Sequence, residues 1–172
     1  MPLSNSSRVV LLSLTLATVG LTVSARHLDS SLAPVIQSAG RSAPAADACA
    51  LLTSADIAKT TGLKVGDGTA GPVIPGVLGR CTWIGGGDTK VIVTLTDTQH
   101  MQTTLSAQLQ AGGNSVSGVG SKAVATRGAG FTGGGHILSV LDTKGGIGVS
   151  ILGKDGTQDR VIALAQMIES RR

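Results

Sequence analysis

The chain has 172 residues and a formal net charge of +4, with 41% hydrophobic residues but only 1% aromatic ones. This length suits one domain with a continuous core, which Val, Ile, Leu and Ala must build because aromatic residues are so scarce. The basic residues are scattered without interleaved aromatic side chains, which argues against nucleic-acid binding. Charged residues make up 14% of the chain, a low share that suits a secreted domain better than a cytosolic enzyme.

The N-terminus has the pattern of a secretory signal peptide, which we predict over residues 1–25. Arg8 precedes an apolar run over 9–23, and Val23-Ser24-Ala25 has small residues at the positions that a signal peptidase recognises. The run is shorter than the ~20 residues of a membrane-spanning helix, so membrane contact is expected only through an uncleaved leader. No cysteine follows this run closely, so no lipid anchor is predicted. We expect an exported protein, periplasmic or extracellular.

A linker separates this leader from the folded domain. Residues 26–46 contain Pro34, Pro44 and a Ser/Ala/Gly-rich mixture without sustained periodicity, which is typical of a flexible linker. The remaining residues, 47–172, are predicted to form a single domain.

The first predicted element of the domain is a helix of about two turns that follows Thr53. Thr53 and Asp56 have the spacing of a capping box, in which the acid also meets the positive end of the helix dipole. Leu52 and Ile57 have the spacing of a hydrophobic staple. Gly62 supplies a left-handed stop, so both ends of this helix are marked in the sequence.

Five strands are predicted from β-branched, alternating segments that glycine-rich turns separate. The first two segments are close enough to form one hairpin, and the last two are close enough to form another. The predicted strands cover 80–84, 90–96, 123–126, 136–141 and 147–152.

Two more helices are predicted, one after the first hairpin and one at the C-terminus. Asp97 or Thr98 caps the first, which runs to about Ala111, and Thr157 caps the second, which runs to about Ser170. Each carries an apolar stripe at helical spacing. The first stripe is narrow and consists of Met101, Leu105 and Leu109, and the second consists of Val161, Leu164, Ala165 and Ile168. Tight hairpins combined with helices predict an α+β fold, in which an antiparallel sheet of about five strands has three helices packed mainly on one face.

The chain contains two cysteines, Cys49 and Cys81. In an exported protein such a pair predicts one disulfide. It would stabilise the fold by about 3–4 kcal/mol in the chain-entropy model. The alternative is a redox-active pair, but redox cysteines usually lie two residues apart at a helix start. Trp83 shares a strand face with Cys81, so we expect it to pack on the disulfide, with ligand stacking as the alternative.

No catalytic, metal or cofactor motif stands out, and we predict none. Glu169 is the only glutamate, and neither a nucleophile elbow nor a Ser-x-x-Lys pair is present. The segments 118–123 and 128–133 match the letters of a dinucleotide fingerprint. Neither follows a clear strand and opens a helix, which phosphate binding by this motif requires.

Two hypotheses for function remain. The first is a non-catalytic binding module whose sheet face or glycine loops hold an envelope protein or a small ligand. The second is a small secreted hydrolase or metal-dependent enzyme that uses His100 and His136 with nearby Asp or Ser. The simpler interpretation of Asp97 and His100 is a helix cap and a solvated first-turn residue. His136 is most simply an exposed residue at a strand end.

Several segments carry a family pattern. They are Cys-Ala-Leu-Leu-Thr-Ser-Ala-Asp-Ile at 49–57, Gly62, Cys-Thr-Trp at 81–83, and Ser-Gly-Val-Gly at 117–120 with Ala123. Over roughly 47–170, the chain resembles a domain-of-unknown-function family of small exported proteins, chiefly actinobacterial cell-envelope lipoproteins. The resemblance implies an envelope-facing, non-enzymatic domain with the two cysteines paired. The family's lipid-attachment cysteine is missing here, which favours free release into the periplasm or medium.

Overall fold

The computed structural model describes residues 47–128 and 134–172, and this part of the chain forms three helices and seven strands. The predicted leader (1–25) and linker (26–46) lie outside the described residues. Among the helices described, none is long and apolar enough to cross a membrane. The elements are β1 (Thr69–Ala70), β2 (Val77–Ile84), β3 (Lys90–Thr96), β4 (Asn114–Val116), β5 (Lys122–Arg127), β6 (Gly135–Asp142), β7 (Gly145–Leu152), α1 (Ser54–Thr61), α2 (Thr98–Gln110) and α3 (Gln158–Arg171).

All the strands belong to one antiparallel sheet in the order β1-β2-β3-β7-β6-β5-β4. The two predicted hairpins, β2–β3 and β6–β7, meet at the centre, where β3 pairs with β7. The α+β class, the antiparallel sheet and the three helices are confirmed. The prediction of about five strands was wrong, because β1 and β4 close the two edges. These strands have two and three residues, which is too short to show an alternating pattern.

The main core lies between one face of the sheet and helices α1 and α3. Alternate residues of the central strands point into it, as the period of a β-strand requires. Thr157 precedes α3 as predicted, although its side chain makes no capping hydrogen bond. The core residues from β3, β7 and α3 are Val91, Val93, Leu95, Ile147, Val149, Ile151, Val161, Leu164, Ala165 and Ile168.

Helix α2 lies on the opposite face of the sheet. Met101 and Leu105 pack with Val124 in a cluster separate from the main core. The strand neighbours of Val124 on both sides belong to the main core, so Val124 points the other way. Two helices therefore share the core face and the third covers part of the other. Leu109, the last residue of the predicted apolar stripe, is 37% exposed.

Cys49 and Cys81 form the predicted disulfide, with an S–S distance of 2.02 Å. Cys81 and Trp83 are buried in the main core. A Cβ atom added to Gly68 would lie 2.7 Å from both the Cys81 Sγ and the Trp83 Nε1, so the loop before β1 covers this pair closely. Trp83 is 1% exposed, and it packs in the core as expected.

Helix α1 has the predicted capping box. The Asp56 N–H donates to the Thr53 Oγ1 at 3.1 Å, and the Thr53 N–H donates to the Asp56 carboxylate at 2.9 Å. Gly62 ends the helix with a φ of 75°. Arg171 of α3 donates to both carboxylate oxygens of Asp56, each at 2.8 Å. These hydrogen bonds, those from Arg171 above all, hold the pKa of Asp56 well below its usual range.

Candidate functional site

A groove with a volume of about 820 Å³ runs beside α2, on the sheet face opposite the main core. Its size falls within the ~300–1,000 Å³ of typical small-molecule sites. Residues of α2 at helical spacing form one wall, and residues of β5 and β6 form the floor. The wall consists of His100, Thr103, Thr104, Ala107, Gln108 and Ala111, and the floor includes the side chains of Thr126 and Ile137.

The groove exists because α2 contacts the sheet along a narrow stripe. Only Met101 and Leu105 of this helix are buried, and the residues beside that stripe are mostly small. At the end of the helix, Gly113 brings the backbone close to the sheet. A Cβ atom added there would lie 2.7 Å from Val124 Cγ1 and 2.8 Å from Thr126 Cγ2. The helix is therefore held on the sheet, while its small side chains leave space next to it.

The lining of the groove contains no carboxylate. His100 and Arg127 are the ionisable residues along it, but Arg127 follows Thr126, which faces α2, and pairs with His136, so the Arg127 side chain points to the opposite face of the sheet. Helix α2 has no Asp, Glu, Lys or Arg in its thirteen residues. Strand β4 pairs with β5 only over residues 123–125, so in the described part of the chain the edge of β5 at Arg127 has no neighbouring strand.

The polar groups of the wall differ in how well they are satisfied. The hydroxyls of Thr103 and Thr104 donate to the carbonyls of Gln99 and His100, at 3.1 and 3.0 Å, so the helix itself uses these protons. The Oε1 of Gln108 is buried and accepts no hydrogen bond from any described group. A buried acceptor without a partner destabilises the fold.

His100 lies where the sequence placed it, in the first turn of α2. The backbone N–H of His100 donates to the Asp97 Oδ1 at 2.6 Å, so Asp97 is the helix cap, as expected. The His100 side chain is exposed and packs against Gly76, whose φ is +82°. A Cβ atom at Gly76 would lie 2.8 Å from the His100 Cγ. The imidazole is thus held by contact with the β1–β2 loop.

His136 lies on the other face of the sheet. Its strand neighbour Ile137 lines the groove, and successive side chains of a strand point to opposite faces. The Nδ1 of His136 is 2.9 Å from the Gly156 carbonyl oxygen, which only accepts, so Nδ1 is the donor. His136 is half-buried, and the prediction that it is exposed was wrong because the segment before α3 covers it. The structure does not bring His100 and His136 together.

Other sequence features also lie away from the groove. Within 47–128 and 134–172, no three His, Cys, Asp or Glu side chains are grouped so that they could hold a metal ion. Glu169 lies near the end of α3, where burial raises its pKa and a backbone hydrogen bond from Gly120 opposes this effect. The glycine motif at 118–123 leads into strand β5, not into a helix. The motif at 128–133 lies largely outside the described residues.

No sequence motif marks the groove. Its wall consists of Ala, Thr and Gln residues that flank the apolar stripe of α2, and such residues are ordinary on a helix surface. One signal was available, because a surface helix usually carries charged residues on its solvent face, and α2 carries none of Asp, Glu, Lys or Arg.

No protein-family model, no curated protein and no solved structure matches the chain. The resemblance to the family of small exported proteins therefore depends on the short segments described above. It remains a prediction, as do the functions that the resemblance implies.

Proposed function

We propose that the protein is an exported, cell-envelope-associated binding module without catalytic activity, and that the groove beside α2 holds its ligand. The observation that carries this proposal is the groove itself, with its volume of about 820 Å³ and its lining of small side chains. A base and a nucleophile in contact would indicate an enzyme. The lining offers His100 as a base, but it contains neither a serine nor a carboxylate.

The expected location rests on separate observations. The Cys49–Cys81 disulfide indicates a non-cytoplasmic environment, since disulfides persist in oxidising compartments. The signal-peptide pattern over 1–25 and the resemblance to exported envelope proteins both support export. We propose the periplasm or the external medium, without a lipid anchor.

The alternative function is a small hydrolase or metal-dependent enzyme that uses His100 and His136. Such a mechanism needs its acid, base and nucleophile within hydrogen-bond reach of one substrate. His100 lies beside the groove, whereas His136 bonds to the Gly156 carbonyl on the other face. This separation favours the binding module.

A retention experiment tests the proposal. The purified protein is incubated with organic and aqueous extracts of the envelope of the producing cells, purified again and analysed by native mass spectrometry. The Ala107→Phe variant fills the groove with a large side chain, and Ser106→Phe is its control because Ser106 is an exposed neighbour outside the lining. We expect a bound small molecule in the wild type and in Ser106→Phe, but not in Ala107→Phe.

Two results would contradict the proposal. A ligand that Ala107→Phe retains as well as the wild type would place the binding site elsewhere. Turnover of an envelope ester or amide by the wild type, with loss of turnover in both His100→Ala and His136→Ala, would instead establish the enzyme.

A further inference from the structure

Part of the sheet face on which α2 lies has no helix over it. Helix α2 packs on β5, β6 and β7, and α1 and α3 pack on the core face, so the outward side of β2 and β3 is uncovered in the described part of the chain. We define this open face by its side chains, which are Arg80, Thr82, Ile84, Lys90, Ile92, Thr94, Ser150 and Leu152.

We propose that the open face binds an amphipathic helix of a partner protein, with an acidic residue of that helix beside Lys90. The apolar side of the partner helix lies on the aliphatic residues of the open face. This inference goes beyond the proposed function and does not depend on it, because the open face shares no residue with the lining of the groove.

Three aliphatic side chains form a continuous strip on the open face. Ile84, Ile92 and Leu152 alternate with core residues along their strands, so they point away from the core. Ile92 pairs with Thr82 and Ser150, which makes Ile84 and Leu152 its diagonal neighbours, within reach of long side chains. Ile84 is 62% exposed. The outward side of an antiparallel strand is normally polar, so an apolar strip at these positions indicates a binding surface.

The backbone around the strip excludes an added strand as its occupant. Strands β3 and β7 each have a paired strand on both sides, and the carbonyl of Ile84 in β2 accepts a hydrogen bond from the Gly66 N–H at 2.9 Å. An extended peptide would need free backbone groups to pair with. A helix satisfies its own backbone groups and needs only an apolar stripe to pack on a sheet.

Helix α2 limits the shape of the partner. It stands about 10 Å above the sheet beside the open face, so a flat lipid bilayer would meet α2 before it reached the strip. A second helix beside α2 fits this geometry, since packed helices lie about 8–10 Å apart. A second copy of the chain related by a two-fold axis would bring two positively charged faces together, which is unfavourable.

The charges of the open face define the charge of the partner. Lys90 lies between Ile84 and Leu152 in one cross-strand row, and no Asp or Glu occupies an outward position of β2, β3 or β7. The nearest carboxylate along the chain is Asp88, and Lys90 forms no ion pair with it or with any other described residue. An acidic side chain next to the apolar stripe of the partner helix therefore meets an unpaired positive charge.

A titration with two synthetic peptides tests the proposal. Both peptides are crosslinked to stay helical and have the same leucine stripe, which glutamates flank in one peptide and lysines flank in the other. We expect the acidic peptide to bind about fivefold more tightly than the basic one at low salt, and this difference should shrink as salt screens the charges. Amide chemical shifts of the isotope-labelled protein should change at 82–84, 90–94 and 150–152.

Three variants assign the contacts. Lys90→Glu should reverse the preference, so that the basic peptide binds more tightly than the acidic one. Lys122→Glu is the matched control, because Lys122 is also an exposed first residue of a strand but lies outside the open face, and it should keep the wild-type preference. Ile92→Thr keeps a β-branched residue and should weaken both peptides about threefold, because apolar contact area is lost.

Several results would overturn this inference. Equal affinities of the two peptides, or a Lys90→Glu variant with the wild-type preference, would exclude an acidic helix as the partner. Binding to phosphatidylglycerol vesicles that Ile92→Thr weakens, without peptide binding, would assign the open face to a membrane surface. A dimer that dissociates in Ile92→Thr would assign it to a second copy. Because the reversed preference is a gain of binding for the basic peptide, an unfolded Lys90→Glu variant could not produce it.

Discussion

Gln108 lies in the groove wall with a buried side-chain oxygen that has no hydrogen-bond partner in the described part of the chain. Its side chain lines the groove, yet its Oε1 is buried without a hydrogen-bond partner among the described residues. Such an acceptor loses its hydrogen bonds to water without replacement on folding. The unpartnered Oε1 therefore lowers the stability of the folded protein.

Replacing Gln108 with leucine should therefore stabilise the protein. We expect Gln108→Leu to raise the free energy of unfolding by about 1 kcal/mol, because it removes the unsatisfied acceptor and keeps a good helix former. Urea denaturation measures this change. The control is Gln110→Leu on the exposed side of the same helix, for which we expect a change within about 0.5 kcal/mol. A loss of stability in Gln108→Leu would mean that the amide is satisfied in solution.

Asp56 should make the stability of the protein depend on pH in the acid range. Its folded-state pKa lies below its usual value of 3.8, mainly because Arg171 and Thr53 donate hydrogen bonds to the carboxylate. The stabilisation is complete above the unfolded-state pKa. As the pH falls below about 4, the unfolded state takes up the proton first, so this stabilisation is lost until the folded state is protonated too.

Asp56→Asn tests this dependence through thermal denaturation between pH 7 and pH 2.5. We expect the variant to melt below the wild type at pH 7 and the difference to shrink as the pH falls below about 4. Arg171→Gln removes the main hydrogen-bond donor to Asp56, so the melting temperature of this variant should also depend less on pH below about 4 than that of the wild type. Parallel melting curves for wild type and Asp56→Asn over the whole range would show that the contacts of Asp56 do not stabilise the folded state.

At the scale of single residues, the sequence predicted contacts that are close along the chain. The Thr53–Asp56 capping box and the Asp97 cap both depend on a spacing of three residues, and both are present. The ion pair between Arg171 and Asp56 spans 115 positions. It was not predicted, because nothing in either local segment indicates the other.

At the scale of elements, the loop between α1 and β1 packs directly on the disulfide. Gly68 lies so close to Cys81 and Trp83 that a Cβ atom would come within 2.8 Å of the indole Cε2. A side chain of any size therefore displaces the loop or the indole. Gly68 therefore allows the backbone of this loop to approach the disulfide closely.

Gly68→Ala should destabilise the protein by about 1–3 kcal/mol, because the added methyl group overpacks a rigid site. Gly66→Ala is the matched control, since a Cβ atom there would meet only the Ile84 carbonyl oxygen at an ordinary 3.6 Å. We expect the control to change stability by no more than about 0.5 kcal/mol. The emission of Trp83, the only tryptophan, should shift in Gly68→Ala alone. Equal stability of the two variants would contradict close packing of this loop.

The helices show what an apolar stripe in the sequence can and cannot predict. The stripe of α3 predicted a broad buried face, and its residues lie in the main core. The stripe of α2 correctly predicted the burial of Met101 and Leu105, but it could not indicate which face of the sheet they cover. A helical period identifies the buried side of a helix and not its partner.

At the scale of the whole molecule, the disulfide joins the turn before α1 to strand β2 across 32 positions. We expect the Cys49→Ala/Cys81→Ala double variant to lose about 3–4 kcal/mol of unfolding free energy, because the open loop gains entropy in the unfolded state. Urea denaturation with and without reductant measures this loss. Reductant should destabilise the wild type and leave the double variant unchanged, and a wild type insensitive to complete reduction would contradict the prediction.

The short edge strands matter for the molecule as a whole. Strand β1 covers two positions of β2, and β4 covers three positions of β5. Short edges limit the unpaired backbone that could join another sheet.

Local sequence patterns were enough to predict the cap of α1, the central strands, the buried stripes and the pairing of the two cysteines. Each of these depends on a short spacing or, for the disulfide, on the presence of only two candidates. The tertiary structure alone decided the strand order, the two edge strands, the face that α2 covers and the groove beside it. These features depend on contacts between segments that are far apart in the chain, and a local period carries no information about such contacts.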